Sequence, residues 1–555
     1  MKKLLLAVAT LVIMVVAASA REARERTDKN ELSRNVAIFN SIVKELQANY
    51  VDTIDAKKTI RTAIDAMLSG IDPYTEYFSD DEREQLTTIS SGQYGGIGAY
   101  IMKRDKGTIV NQLVWDAPAY IAGLRPGDRF LSINDELVAE MNYDEVSKRL
   151  RGQPGSKLTV KVQRPYVSDS ILTFELTRKS ISVNPLPYYG VDSTGVGYIS
   201  LTTFNEKSAA AVRNAIVEMQ NSGRLKALIL DLRANGGGLL ESSVQIVGLF
   251  VPKGTEVVRT RGFDNRNEKI YKTTQKPIDA DLPLAVLIDG ATASSSEIVA
   301  GALQDLDRAV IIGDRSYGKG LVQTSRPLPY DGLLKITVAR YYIPSGRLIQ
   351  AIDYSHRNPD GSVARIPDSL TKIWYTAAGR EVRDGGGITP DVNVVDTTMN
   401  RLLYNVISDF WAFDYANRFA SLTPTIPDAD NWVVGDSIFN DFKAFIDPDR
   451  FKYDRMSDMA IKYLRDAART EGYDNDSVKA QIDILAGMMR HDLEHDLNFN
   501  RDELIQILDA EISERYYDES DRVKRSLRYD IVADSAHVIL LNKDRYSKIL
   551  HTAEQ

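Results

Sequence analysis

The chain has no cysteine and only five histidines, His356, His491, His495, His537 and His551, in 555 residues. The first absence excludes disulfides, thiolate metal sites, a cysteine nucleophile and a lipidated cysteine anchor, so packed cores alone must hold the fold. The second leaves histidine-based acid–base chemistry poorly supplied. Basic charge is also short: 69 Lys+Arg against 77 Asp+Glu leave a net charge of −8. Without a dominant positive field, no nucleic-acid partner is expected. No apolar run long enough to cross a bilayer occurs after the first twenty positions. Those positions, MKKLLLAVATLVIMVVAASA, set Lys2 and Lys3 before an apolar run from Leu4 to Val16 and end on Ala18-Ser19-Ala20. This is the anatomy of a secretory signal peptide cleaved after Ala20. The run is short for a full span, which makes an uncleaved inner-membrane anchor the weaker alternative. Export without disulfides suits a bacterial periplasm, with the chain peripheral to the membrane at most.

What is present is enough for several cores. Residues 21–87 read as a helical region, because NELSRNVAIFNSIVKELQANY sets Val36, Phe39, Ile42, Val43 and Leu46 on one stripe. In 88–182 the period changes to short strands, GIGAYIM, GTIVNQLV, DRFLSIND and KLTVKVQR, separated by turns such as RPGD and GQPGS. Residues 183–395 alternate strand and helix, which predicts an α/β core: KALILDLR before LLESSVQIVGLF, and LPLAVLID before EIVAGALQD. From 396 to 555 only helical patterns remain, among them RMSDMAIKYLRDAARTEG with Met456, Met459, Ala460, Tyr463, Leu464 and Ala467 on one face. That stripe predicts a satellite core.

Three features can support chemistry. In ALILDLRANGGG, Gly236, Gly237 and Gly238 follow a buried strand and precede a helix, where free amides can face an anion; a plain flexible turn is the bland reading. In GATASSSEIVAGAL, Ser294 and Glu297 form the S-x-x-E capping signature. A cap and a nucleophile are compatible here, since the helix dipole favours an alkoxide and leaves the Ser295 amide free. In SYGKGLVQ, Lys319 stands between two glycines and shares one extended face with Leu321 and Gln323. Such a lysine is ordinarily a loop residue. The predicted α/β core, however, holds a single histidine, His356, so a lysine neutralised by burial is the better-supplied base for a serine.

These motifs together resemble the C-terminal processing, or tail-specific, proteases, a family of PDZ-containing Ser/Lys peptidases. The family pattern G-[ST]-A-S-A-S-E-I compares with A-T-A-S-S-S-E-I here and puts its catalytic serine on Ser294. Its YGKG-x-x-Q segment puts the base on Lys319 and the orienting glutamine on Gln323. Its D-L-R-x-N-P-G-G loop falls on Asp231 to Gly238, so the resemblance implies oxyanion donors at Gly237, Gly238 and Ser295. Gly236 stands where the family has proline, and Ser295 where it has alanine. LKITVARYYIPSGRLIQ, GGGITPDV and DPYTEYF are further similar segments, and the similarity spans about residues 35–395.

The implied architecture is a multidomain α/β protein: a ClpP/crotonase-like α/β protease core, a PDZ-like β-rich domain and helical regions at both ends. GGIGAYI would be the carboxylate-binding loop, with Gly95, Gly96, Ile97 and Gly98 as substrate-binding residues. The implied function is an exported serine endopeptidase acting on C-terminal tails, with no metal or organic cofactor. Its partners would be protein or peptide substrates with free C-termini. Oligomer assembly or adaptor docking is the expected role of the helical regions. A non-catalytic PDZ scaffold or chaperone is the alternative, against which intact Ser294, Lys319 and Gln323 weigh. A crotonase-like acyl-CoA enzyme conflicts with the secretion signal. HDLEH, His491 to His495, matches an inverted zincin signature but reads as a solvated helix face.

Overall fold

The computed structural model describes residues 30–82, 91–167, 170–263, 267–354, 356–358, 360–395, 399–489 and 492–551. The candidate signal peptide and His491 lie outside them. The chain divides into two compact units, one running through Phe78 and including Ser325–Ile336, the other made of Ser79–Thr324 and Thr337–Gln555.

In the first unit, residues 30–49 and Ala56–Ser69 are helical. Asp55 caps the second helix through the Lys58 amide at 3.0 Å. DPYTEYF contributes the strand Glu76–Phe78, antiparallel to residues 333–335. Among the described residues the expected stripe of the first helix finds no cover: Val36, Phe39, Ile42 and Leu46 are exposed.

The second unit contains the α/β core. Six strands, ordered Tyr189–Val191, Val196–Ser200, Ala227–Asp231, Leu284–Ile288, Val310–Gly313 and Val392–Asn393, form its central sheet, parallel from the second strand onward. Ala227–Asp231 and Leu284–Ile288 are buried at every residue, as continuous apolar strands covered on both faces must be. Their side chains alternate strictly. Leu228, Leu230, Leu284 and Val286 pack under the helices Ser208–Asn221, Leu240–Val247 and Ser295–Asp305. Ile229, Ala285, Leu287 and Ile312 point the other way.

That other face is covered by the end of the chain. Val532, Ala533, Ala536, Ile539 and Leu540 of the helix Ile531–Leu541, with Leu550 of the helix Lys543–Leu550, pack on it, and Tyr546 holds the Leu284 carbonyl at 3.2 Å. The last two helices are therefore part of the α/β core. Residues 402–517 supply a separate core around Tyr415, Phe439, Phe442, Leu504 and Leu508. The Met456 stripe does not join it. The helix Met456–Thr470 has no buried residue, and Met456, Met459, Tyr463 and Leu464 are exposed. The helix Asp476–Met488 lies against it, tied by Arg465 to Asp483 at 2.7 Å, yet this pair alone leaves the stripe's large side chains exposed.

The PDZ-like module is a second six-stranded sheet, with Ala99–Arg104 at one end of its order, beside Gly107–Leu113. KLTVKVQ turns Leu158, Val160 and Val162 inward on the strand Lys157–Gln163. Asn134 and Asp135, both at positive φ, make a two-residue hairpin between Arg129–Ile133 and Glu136–Leu137. Arg104 ties the module to the C-terminal region, paired with Asp414 at 2.7 and 3.1 Å and lying 4.5 Å over the Phe410 ring.

Candidate active site

Two adjacent loops leave the C-terminal ends of the parallel strands Ala227–Asp231 and Leu284–Ile288, the usual place for chemistry on such a sheet. Asn235 binds them together. Its carbonyl accepts the Ala293 amide at 3.0 Å and the Ser296 hydroxyl at 2.8 Å. Its side-chain amide donates to the Leu201 carbonyl at 2.7 Å. Thr292 adds a bond to the Leu232 carbonyl at 2.9 Å.

Ser294 is the N-cap of the helix Ser295–Asp305, with φ 58° and ψ −117°. A residue with a Cβ adopts that conformation only when its surroundings impose it. Two side chains do so. Glu297, fully buried, accepts the Ser294 amide at 2.8 Å, as the capping signature anticipated. The same carboxylate also accepts the Gly318 amide at 2.7 Å, the Lys319 amide at 2.9 Å and the Ser316 hydroxyl at 2.5 Å. Burial pushes the Glu297 carboxyl upward, and these four donors pull it back towards the charged form. The buried Tyr341 hydroxyl lies 2.6 Å from the Lys319 carbonyl and 3.1 Å from that of Ser294. Ser294 and Lys319, far apart in the chain, thus share both partners.

Lys319 is half-buried. Its neighbour Gly318 has φ 87°, and a Cβ there would sit 2.3 Å from that of Ala351. Gln323 lies on the strand Leu321–Pro327 and donates to the Thr337 hydroxyl at 3.2 Å.

The expected oxyanion donors separate into two groups. The Gly237 amide is already bound to the Asn235 side-chain oxygen at 2.9 Å, because the asparagine closes a local turn over it. This corrects its place among the expected donors. The amides of Gly238 and Ser295 have no acceptor among the described residues, and the Ser295 hydroxyl holds the Gly238 carbonyl at 2.9 Å, fixing the two residues side by side. The Gly236 amide is likewise unbound, on an exposed residue. Gly237 must be glycine for another reason: with φ 99°, a Cβ would stand 2.8 Å from that of Ser294.

In the PDZ-like module, Gly95 and Gly96 pair with Ser180 and Lys179 as part of a two-stranded ribbon. The amides of Ile97 and Gly98 find no acceptor among the described residues, next to the sheet-end strand Ala99–Arg104 and the helix Tyr143–Leu150. Asn142 and Glu145 cap that helix reciprocally at 3.0 and 2.8 Å. Of the four expected residues, Ile97 and Gly98 therefore offer the open donors. His495 lies on the helix Leu493–Phe499, and the described residues contain no cluster of His, Asp or Glu fit to hold a metal ion.

Several contributors were not singled out in the sequence. Glu297 was legible only as a cap partner. Tyr341 and Thr337 lie within LKITVARYYI without any spacing signal of their own. Asn235 and Arg233 were visible only as members of the glycine-loop motif.

Fold and site together define a serine-type peptidase carrying a PDZ domain. The chain matches Peptidase family S41 over residues 195–356, a PDZ domain over 109–164, and the C-terminal helical domain of a probable PDZ-protease over 402–540. It is 33% identical over 375 residues to a carboxy-terminal-processing protease of Bartonella bacilliformis, covering 67% of this chain and 84% of that one. A probable CtpA-like serine protease of Staphylococcus aureus is 30% identical over 349 residues, 62% of this chain and 68% of the relative. Among solved structures, a photosystem II D1 C-terminal processing protease is similar at 27% identity, over 65% of this chain and 88% of that chain, with a TM-score of 0.37. The chain belongs to the carboxy-terminal-processing protease family of S41 peptidases.

Proposed function

We propose that this chain is an exported endopeptidase that cleaves protein substrates near their C-termini with a Ser294/Lys319 dyad. One observation carries the reading: Glu297 accepts the amides of both Ser294 and Lys319, and Tyr341 reaches both carbonyls, so the backbones of the two residues are held as one unit. A substrate's terminal carboxylate is received by the Ile97 and Gly98 amides, its chain extending the sheet along Ala99–Arg104. Neutral Lys319 takes the proton from the Ser294 hydroxyl as Oγ attacks the peptide carbonyl. The Gly238 and Ser295 amides hold the resulting oxyanion. Collapse breaks the C–N bond, Lys319 returns the proton to the leaving amine, and water then releases the acyl group as a carboxylate. Gln323 orients the lysine from the neighbouring strand. The basic and apolar start of the chain, ending on Ala18-Ser19-Ala20, supports export to the periplasm; the periplasmic form should then begin at Arg21.

The test is casein cleavage by the wild type, Lys319→Ala and Lys319→Arg. Loss of a general base costs about 10²–10⁴-fold, and arginine, which keeps the charge but never gives up its proton, should not restore the rate. Wild-type turnover by Lys319→Ala would remove the lysine from the mechanism.

A further inference from the structure

Arg233 stands in the catalytic loop, two positions before Asn235, and its guanidinium is held between two carboxylates. Towards its own strand it binds Asp231, from Nη2 at 2.6 Å and Nε at 3.0 Å. Asp231 is in turn bonded by the Tyr198 hydroxyl. On the other side it meets Asp530, from Nη1 at 2.9 Å and again from Nη2. Both contacts are of the planar, two-pronged kind that fixes an arginine in orientation as well as position. Asp530 comes from 297 residues further along the chain.

Asp530 does not float. It is the N-cap of the helix Ile531–Leu541, accepting the Val532 and Ala533 amides at 3.1 and 3.0 Å. That helix is pressed on the back of the central sheet through Val532, Ala533, Ala536 and Ile539. Burial opposes its charge, but the Arg233 pair and the Ala533 and Val532 amides together outweigh burial and hold the Asp530 carboxyl below the usual carboxylate range. A cavity of about 600 Å³ opens beside the pair, lined by Gln112 of the PDZ-like module together with Glu514, Glu519 and Arg522. The contact thus lies where the catalytic loop, the PDZ-like module and the C-terminal region meet.

We infer that Asp530 is a positioning residue for the reaction: through Arg233 it sets the loop that presents the Gly238 amide, so the C-terminal region tunes catalysis without touching substrate. The inference rests on the proposed peptidase chemistry. Its physical basis is an asymmetry. Without Asp530, Arg233 still has Asp231 as counter-ion, so no buried charge is abandoned and the fold loses little. The guanidinium nevertheless loses one of its two anchors. Directly after it comes Ala234, at φ 54°, with its amide on Asp289 at 3.0 Å. Any swing of Arg233 is passed to this strained residue and to the glycines that follow.

The experiment uses full-length protein and casein. Asp530→Ser keeps a good helix cap but is too short to reach Arg233, and Asp530→Asn keeps the cap and removes the charge. Both should melt near the wild type. Asp530→Ser should show kcat reduced about tenfold or more with KM within about twofold, as expected for a small displacement of catalytic donors. Asp530→Asn should fall between, and Asp530→Glu should recover part of the rate. If the two residues act as a unit, Arg233→Lys/Asp530→Ser is no slower than Arg233→Lys alone. Wild-type kcat in Asp530→Ser, or single effects that multiply in the double variant, overturns the inference. Wild type that leaves casein uncut, like Ser294→Ala, overturns the proposed function instead.

Discussion

Ser294→Ala is expected to lower proteolysis by at least about 10⁴-fold while leaving the fold intact, because removing a nucleophile that acts as a unit with its base costs nearly all of the chemical acceleration. The structural neutrality follows from which atoms of residue 294 bear contacts. Its amide binds Glu297 and its carbonyl faces Tyr341 and the Ile298 amide; alanine keeps both groups. Serine already carries the Cβ that a φ of 58° disfavours, so alanine adds no strain. Ser295→Ala is the control. It loses one neutral hydrogen bond, from the hydroxyl to the Gly238 carbonyl, worth roughly 0.5–1.5 kcal/mol, so activity should fall by about tenfold at most. Steady-state cleavage of casein beside a thermal melt separates the variants. Equal losses in both, or an active Ser294→Ala, would sink the assignment of Ser294 as nucleophile.

The parts of this site that were legible in the sequence are those carried by short segments. KALILDLR and LPLAVLID are apolar at nearly every position because both faces of their strands are covered, so strand and loop could be placed together. Ser294 and Glu297 stand at capping distance on one helix, and that bond is present. What could not be read is what covers each surface. The face formed by Ile229, Ala285 and Leu287 takes its cover from a helix beginning at Ile531, and no local pattern names that partner. The stripe of Met456, Met459 and Tyr463 has the same helical period yet faces solvent. Periodicity reports an amphipathic surface, and only tertiary packing decides whether it becomes core. The Gly237 amide failed for a related reason: a glycine in a loop motif looks free until the conformation of its neighbour Asn235 is known.

Glu297 separates geometry from chemistry, and its replacement should damage both stability and rate. The carboxylate is fully buried and serves four donors, the Ser294, Gly318 and Lys319 amides and the Ser316 hydroxyl. Ser316 cannot easily turn elsewhere, since its oxygen also accepts the Ile388 amide at 2.6 Å. Glu297→Ala leaves these donors dry and unpaired, a loss on the order of 3–5 kcal/mol, and frees Ser294 to relax from its strained conformation. Glu297→Gln is the sharper variant. It preserves shape, but its NH₂ group confronts donors where an oxygen stood, so at least one bond turns repulsive and the expected loss is about 2–3 kcal/mol. Proteolysis should drop with it, because this side chain supplies three of the bonds that join the segment of Lys319 to that of Ser294, beside Tyr341 and the Tyr317 amide on the Thr292 carbonyl. Thermal melts and casein turnover read the two effects independently. A glutamine variant that melts and cleaves like the wild type would show that Tyr341 and the surrounding backbone hold the dyad unaided. A stable variant with lost turnover would place the charge of Glu297, rather than its shape, in control of the Ser294 and Lys319 geometry.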